Sequence, residues 1–312
     1  MTMHQASGRW KLGLALALIT AACWATLPVA LKITLERLDP ITLTWVRFLV
    51  AALVLALWLG IRGGTAVFAT LDRRRWMLLT VAALMLIGNY VFYLLGVQHT
   101  SPANAQLLIQ LAPLLMALGG IFVFRESYRP GQWLGLAIIA VGLGLFFGDQ
   151  LRATAQTGQG YLLGSAYVIV GAVVWAAYAL IQKQLLLRLS SSAILLFIYM
   201  VAAGVLLPFS HPRELLALDS RHALLLAYCA INTLVAYGAF AEALAHWQAS
   251  RVSAVLATTP LLCLATVALV HAFAPASIAA EHVALFGYAG AALVVIGSTM
   301  SSLLGNKPEV IE

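Results

Sequence analysis

The chain has 312 residues, of which 62% are hydrophobic and 9% are charged, and its formal net charge is +7. Soluble domains carry about 25% charged residues, so water cannot solvate most of this surface. The composition excludes an ordinary soluble domain and indicates a chain that lipid surrounds. The positive charge is expected to mark cytoplasmic loops and not a nucleic-acid partner.

Apolar runs of about 20 residues, the length that crosses a bilayer, recur along the whole chain. Turn signals such as Asp39-Pro40 and Arg129-Pro130-Gly131 separate them. The first run is too long for the core of a signal peptide, which predicts an uncleaved first helix. We predict ten spans, near residues 12–34, 41–61, 76–98, 102–124, 131–148, 160–186, 192–209, 222–244, 252–272 and 282–304.

The distribution of Lys and Arg predicts both termini in the cytoplasm. With that orientation, about two thirds of the 18 basic residues fall in cytoplasmic loops or ends. The cysteines, Cys23, Cys229 and Cys263, each lie in an apolar run without a second Cys or a His at ligand spacing. We interpret them as small core residues and predict neither a metal site nor a cofactor.

The sequence also contains an internal repeat. Rare residue types recur at an offset of 151 residues and, further along, at an offset of 147. The pairs are Trp24 with Trp175, Lys32 with Lys183, Tyr90 with Tyr237, His99 with His246 and Pro113 with Pro260, and the spacing of Gly135 and Gly142 returns in Gly290 and Gly297. This register predicts two five-helix units, residues 1–150 and 151–312. Because five is odd, the second unit must be inverted, as in alternating-access transporters.

Several segments resemble the EamA-type, ten-helix members of the drug/metabolite transporter superfamily. They are Trp24-Ala25, Trp45-Val46-Arg47-Phe48, Leu111-Ala112-Pro113, and Arg125-Glu126-Ser127 through Gly131-Gln132-Trp133-Leu134-Gly135, with Arg125 where the family usually has Gly. The second half repeats the pattern from Trp175, but His271-Ala272-Phe273-Ala274 replaces the Gly-Glu segment. Within the family, the chain is most similar to the YddG-type exporters of aromatic amino acids and methionine. The resemblance implies an all-α fold of two inverted five-helix repeats around a central cavity, and efflux across the bacterial inner membrane.

Aromatic side chains in mid-helix are the candidate walls of a substrate site. Trp normally lies at the membrane interface, so Trp24 and Trp175 need an internal polar partner or a wet cavity. Tyr90 and Tyr93 share a face of the third helix. We predict a site walled by Trp24, Tyr90, Tyr93, Trp175, Tyr178 and Tyr237, with helix packing as the alternative.

Polar and helix-breaking residues lie near this predicted site. Gln106 and Gln110 share a face of the fourth helix, and Gln110 is predicted to contact the substrate. Proline removes a helix hydrogen bond and leaves a carbonyl without its donor. Pro28, Pro113 and Pro260 are therefore predicted hinges, with static kinks as the alternative.

Charged residues inside the spans are few. Lys32 and Lys183 lie toward helix ends and are predicted to snorkel to the interface. Arg47 is predicted to be a structural clamp for carbonyls or for Glu36 and Asp39. The first helix contains no acidic residue, so we predict no buried-carboxylate site for proton coupling.

The sequence therefore predicts an exporter of small amphipathic metabolites, chiefly phenylalanine, tryptophan, tyrosine and methionine. An organophosphate, nucleotide-sugar or drug transporter of the same superfamily is the alternative, and a phosphate substrate would need basic residues on the cavity. An intramembrane enzyme is disfavoured because the sequence has no His-rich metal cluster and no paired intramembrane aspartates. The glycines at 135, 142, 290 and 297 indicate close helix contacts or a homodimer face on helices five and ten.

Overall fold

The structure, a computed structural model, describes residues 9–61, 66–125, 128–157, 159–247, 249–279 and 285–304. Throughout these ranges the regular structure is helical, without a strand. Among the described residues, nine segments are long and apolar enough to cross a membrane, and a tenth, Leu285–Ser301, is shorter. The predicted all-α, ten-span fold is confirmed.

Twelve α-helices build the ten spans in the described part of the chain, because spans four and nine are each interrupted once. Short 3₁₀ turns at Ala66–Thr70, Leu207–Phe209 and Pro212–Ala217 lie between spans. The α-helices are α1 (Trp10–Thr34), α2 (Pro40–Ile61), α3 (Arg73–His99), α4 (Pro102–Leu108), α5 (Leu111–Phe124), α6 (Pro130–Thr157), α7 (Gln159–Leu185), α8 (Ser191–Leu206), α9 (Ser220–His246), α10 (Ala249–Leu256), α11 (Thr259–Phe273) and α12 (Leu285–Leu303).

Equivalent side chains begin equivalent helices in the two halves. Asp72 caps α3 and Asp219, 147 residues later, caps α9. Asp39 accepts the first backbone N–H groups of α2, and Ser190, 151 residues later, does the same for α8. A side-chain oxygen at this position satisfies an N–H that the helix leaves without a partner. The repeat therefore extends from sequence register to local capping chemistry.

Antiparallel pairs of helices join the two halves. Asn89 Nδ2 on α3 donates to Gly171 O on α7 at 2.9 Å, and Asn232 Nδ2 on α9 donates to Cys23 O on α1 at 2.9 Å. The remaining pairs are α2 with α8 and α6 with α12. Helix α3 of the first half packs on α7, and its counterpart α9 packs on α1, which is the counterpart of α7. A twofold relation between inverted halves produces this exchange of partners.

Glycines bring the backbones of α6 and α12 into contact. A Cβ atom added to Gly135 would lie 2.7 Å from Gly297 O, and one added to Gly142 would lie 2.7 Å from Gly290 O. No other residue type fits such a distance, so this glycine face packs the two helices together within one chain. A homodimer through these helices would have to use their other faces, and it stays a prediction.

The Lys32 side chain binds the end of α3. Its ammonium donates to Val97 O at 2.8 Å, Gln98 O at 2.7 Å and Thr100 O at 2.6 Å. These carbonyls end α3, where the helix dipole is negative and favours a cation. Binding at a helix end is compatible with the predicted snorkelling of Lys32, which stays a prediction. The side chain of Lys183 and residues 126–127 lie outside the described part of the chain.

Candidate functional site

Spans four and nine are interrupted next to equivalent prolines. Pro113 has no N–H for the carbonyl of Ile109, and the Ala112 N–H binds that carbonyl instead at 2.9 Å. Pro260 likewise cannot donate to Leu256 O, and the Thr259 hydroxyl takes that place. Both interruptions lie where the sequence suggested a freed carbonyl, and the hinge function of these prolines stays a prediction.

Pro28 differs from the other two prolines. It is buried within α1, which continues without interruption on both sides of it. No helix is interrupted next to Pro28, and its role as a hinge stays a prediction.

One group of aromatic rings joins α1 to α9. The Trp24 and Tyr237 ring centroids are 5.8 Å apart in an edge-to-face arrangement, and Phe240 lies 5.8 Å from Trp24 on the other side. Trp24 is ten residues from the end of α1, which is about 15 Å of helical rise. These rings are therefore deep in the bundle, far from either membrane interface.

A second ring group joins α2, α3 and α8. The Phe48 ring centroid lies 4.5 Å from that of Tyr90 and 5.4 Å from that of Tyr199. The Tyr90 and Tyr237 side chains also approach each other, which links the two groups.

The position of these rings locates the axis between the halves. Tyr90 and Tyr237 are equivalent by the offset of 147, and Phe48 and Tyr199 by the offset of 151. Equivalent residues that touch each other must straddle the twofold axis. Tyr90 is nine residues from the end of α3, about 13 Å by helical rise. The axis therefore passes through the ring group near the bilayer midplane.

Arg47 is the charged member of this centre. Its side chain is buried, with 3% exposed, and its Cζ lies 4.8 Å from the Tyr90 ring centroid. Its Nε donates to Thr233 Oγ1 on α9 at 3.2 Å. Asp39 instead accepts from the backbone of its own helix, and Glu36 lies 3.6 Å from His222. The prediction that Arg47 clamps Glu36 or Asp39 is therefore wrong.

The remaining predicted site residues fall into three places. Trp175 and Tyr178 on α7 form an edge-to-face pair at 6.5 Å and pack into the core that contains Tyr90. Tyr93 turns toward α4, where its hydroxyl donates to Gln106 Oε1 at 3.0 Å. Gln110 is half-buried at the interruption between α4 and α5. Their contact with a substrate stays a prediction.

Sequence reasoning missed three residues that complete the centre: Phe48, Tyr199 and Thr233. Phe48 and Tyr199 obey the same offset of 151 as Trp24 and Trp175, so the repeat register could have identified them. Thr233 has no such signal, because its part in the site depends on the packing of α9 against α2.

A group of ionisable residues lies outside the spans, between the α1–α2 connection and the turn after α8. His211 Nδ1 is 3.3 Å from Asp39 Oδ2, and Glu214 completes a set whose ligand atoms lie within 4.8 Å. Burial disfavours the ionised form of Asp39, but hydrogen bonds from Thr42, His211 and Ile41 outweigh it and hold the pKa of the carboxyl below its ordinary value. His211 and Glu214 are exposed, so this group is a surface connection between the halves.

Ten apolar spans in two halves that meet at one buried centre define a multi-pass membrane protein. The protein belongs to the EamA-like transporter family, within the drug/metabolite transporter superfamily. The sequence profile of this family matches residues 11–148 and, a second time, residues 162–303.

Relatives and a solved structure agree with this placement. The "Uncharacterized inner membrane transporter YhbE" of Escherichia coli K12 is 35% identical over 96% of this chain and 93% of its own length. An "Uncharacterized transporter" of Haemophilus influenzae is 33% identical over 94% and 95%. A "Probable amino-acid metabolite efflux pump" of Salmonella typhimurium is 23% identical over 81% and 85%. One solved structure, titled only "Crystal structure of protein", shares the fold with a TM-score of 0.63 at 20% identity, over 96% of this chain and 98% of that one.

Proposed function

We propose that this transporter exports small amphipathic metabolites across the bacterial inner membrane, chiefly aromatic and other apolar amino acids such as phenylalanine, tryptophan, tyrosine and methionine. The observation that carries the proposal is the midplane centre, where aromatic rings from both halves meet and one of them, Tyr90, lies against a buried arginine. Flat rings suit an apolar or aromatic side chain, and phenol and amide groups suit its polar end. The names of the more distant relatives support the same substrate class.

The proposed mechanism is alternating access by rocking of the two halves about the twofold axis. Substrate binds at the axis, where movement is smallest, and the interrupted spans four and nine change shape around it. A proton-coupling carboxylate is not part of the proposal. Among the described acids, Asp149 and Glu242 lie near the ends of their spans.

Efflux from proteoliposomes tests this proposal. Vesicles that contain the purified full chain are loaded with phenylalanine, tryptophan, methionine, a sugar phosphate or a cationic dye, with and without a pH gradient. We expect efflux of the amino acids that does not depend on the pH gradient. Efflux of the sugar phosphate or the dye without the amino acids would contradict the proposed substrate class and favour the alternative transporters.

Variants of the two deep tryptophans test whether transport uses the predicted site. Trp24→Ala and Trp175→Ala should each reduce phenylalanine efflux about tenfold, because each removes a ring from the centre. Trp133→Ala is the control, since Trp133 is 45% exposed on the outer face of α6. Equal efflux from all three variants would show that the Trp24 and Trp175 rings do not contribute to transport.

A further inference from the structure

The guanidinium of Arg47 is held in place but only partly bonded. One face lies over the Tyr90 ring, and Nε donates to Thr233. Among the described residues, that donation is the only hydrogen bond of this side chain, and no carboxylate lies within ion-pair distance. The two terminal nitrogens, which form the fork that binds carboxylates in proteins, therefore remain for a ligand.

The depth of this side chain makes its missing anion important. Arg47 is seven residues into α2, about 10 Å by helical rise. A buried charge is strongly unfavourable unless an opposite charge pairs with it. The acids that could reach it from nearby helix ends are engaged elsewhere, since Asp39 binds its own helix and Glu36 lies beside His222. The counter-charge must then come from the transported molecule.

The net charge of the centre selects the kind of anion. Lys32 is bound to the carbonyls that end α3, and it adds no cation to the centre. Ile198 occupies the position equivalent to Arg47 in the second half and is fully buried. One positive charge is neutralised by one carboxylate, whereas a phosphate dianion would leave an excess negative charge and a cationic drug would be repelled.

We propose that Arg47 binds the carboxylate of the substrate, and that this carboxylate, not the α-ammonium group, is required for binding. The assignment rests on the proposed amino-acid export and identifies the group that the site recognises. The described centre offers the ammonium group no acidic partner, only ring faces and hydroxyls. The Tyr90 ring lies beside the guanidinium, and Phe48 and Tyr199 extend this apolar surface toward α8, where the side chain of the substrate would pack.

Substrate analogues test this assignment on the unaltered protein. Calorimetry on the purified full chain compares phenylalanine with 3-phenylpropionate, which lacks the ammonium group, and with phenylalaninamide, which lacks the carboxylate. We expect 3-phenylpropionate to bind within about threefold of phenylalanine, and phenylalaninamide to bind at least about tenfold more weakly, because the charged hydrogen bonds are lost. Equal binding of the amide, or no binding of either carboxylate, would overturn the assignment.

Substitutions then assign the effect to Arg47. Arg47→Met should abolish measurable binding of 3-phenylpropionate, and Arg47→Lys should weaken it about tenfold, because Lys keeps the charge but loses the fork. Arg37→Met is the matched control, since Arg37 is exposed at the end of α1. Gel filtration identifies a variant that does not fold. The analogue series is independent of that outcome because it needs no substitution.

The same measurements separate this assignment from the proposed function. If proteoliposomes release no amino acid but 3-phenylpropionate still binds in an Arg47-dependent way, the carboxylate assignment stands and amino-acid export falls. If phenylalanine is exported but phenylalaninamide competes equally well, the assignment falls and amino-acid export stands.

Discussion

Positions 47 and 198 are equivalent in the repeat, yet the first carries a buried Arg and the second a buried Ile. Around them the two halves agree closely: α3 and α9 start at residues 73 and 220, end at residues 99 and 246, and begin with an aspartate cap. Backbone architecture and aromatic rings are thus duplicated, whereas the charge of Arg47 comes from one half. The comparison separates the residues that build the fold from those that select a ligand.

The largest effect is expected when the glycine contact between α6 and α12 is broken. The double variant Gly142→Ala/Gly297→Ala places two Cβ atoms within 2.6 to 2.7 Å of carbonyl oxygens on the facing helix. Two overpacked contacts should lower the free energy of unfolding by about 2–6 kcal/mol. Thermal unfolding in detergent measures it.

The control for this prediction is the double variant Gly144→Ala/Gly148→Ala. An added Cβ at either position meets no atom within 4 Å, and Ala favours a helix by about 0.5–1 kcal/mol over Gly. We expect unchanged or slightly higher stability for the control. If the two double variants unfold at the same temperature, the close contact of α6 and α12 is wrong.

The next effect concerns a contact found in the first half. Lys32→Met removes the ammonium that binds three carbonyls at the end of α3. The loss should lower the free energy of unfolding by about 1.5–3 kcal/mol, the range for hydrogen bonds to a charged group. Lys11→Met is the control, because it removes the same charge from an exposed position at the other end of α1. Similar unfolding temperatures for both variants would show that the three bonds contribute little.

A smaller effect should distinguish the two interrupted spans. Pro113→Ala supplies an N–H that can complete the helix through Ile109, and we expect turnover to fall several-fold because the predicted hinge stiffens. Pro260→Ala should matter less, because the Thr259 hydroxyl already binds Leu256 O. Adding Thr259→Val to Pro260→Ala should lower turnover as much as Pro113→Ala does. Efflux rates measure turnover in the three variants. Unchanged turnover in every variant would show that these prolines do not act as hinges.

The smallest expected effect is a dependence on pH that only one of the two equivalent caps of α2 and α8 has. The folded-state pKa of Asp39 lies below its ordinary value, so its contribution to stability is present above about pH 4 and is lost as pH falls through the folded pKa. Ser190, the equivalent cap of α8, cannot titrate. Asp39→Ser should therefore reduce the loss of thermal stability between pH 5 and pH 3, whereas Ser190→Ala should leave that loss unchanged. An identical acid profile for Asp39→Ser would contradict this role.

Much of the fold followed from the sequence, because hydrophobic runs and a shared register are local or periodic signals. The ten spans, the duplicated tyrosines and the prolines beside the interruptions were all visible in it. Partners were harder to predict. The carbonyls that Lys32 binds were not foreseen, and Arg47 was expected beside Glu36 or Asp39, since spacing along a chain does not reveal which carbonyl or ring lies across a helix contact. Thr233 reaches Arg47 only because α9 packs on α2, which no run of residues encodes.

The contact of α6 with α12 has a consequence for the origin of the chain. Gly135 faces Gly297 while Gly142 faces Gly290, and the repeat makes 290 the counterpart of 135 and 297 the counterpart of 142. Each surface is therefore complementary to its own copy, which is the defining property of an isologous interface between identical subunits. A dimer of half-length chains inserted in opposite orientations would have this geometry. Two halves joined in one chain can differ, as they do at the centre, where one carries Arg47 and the other Ile198.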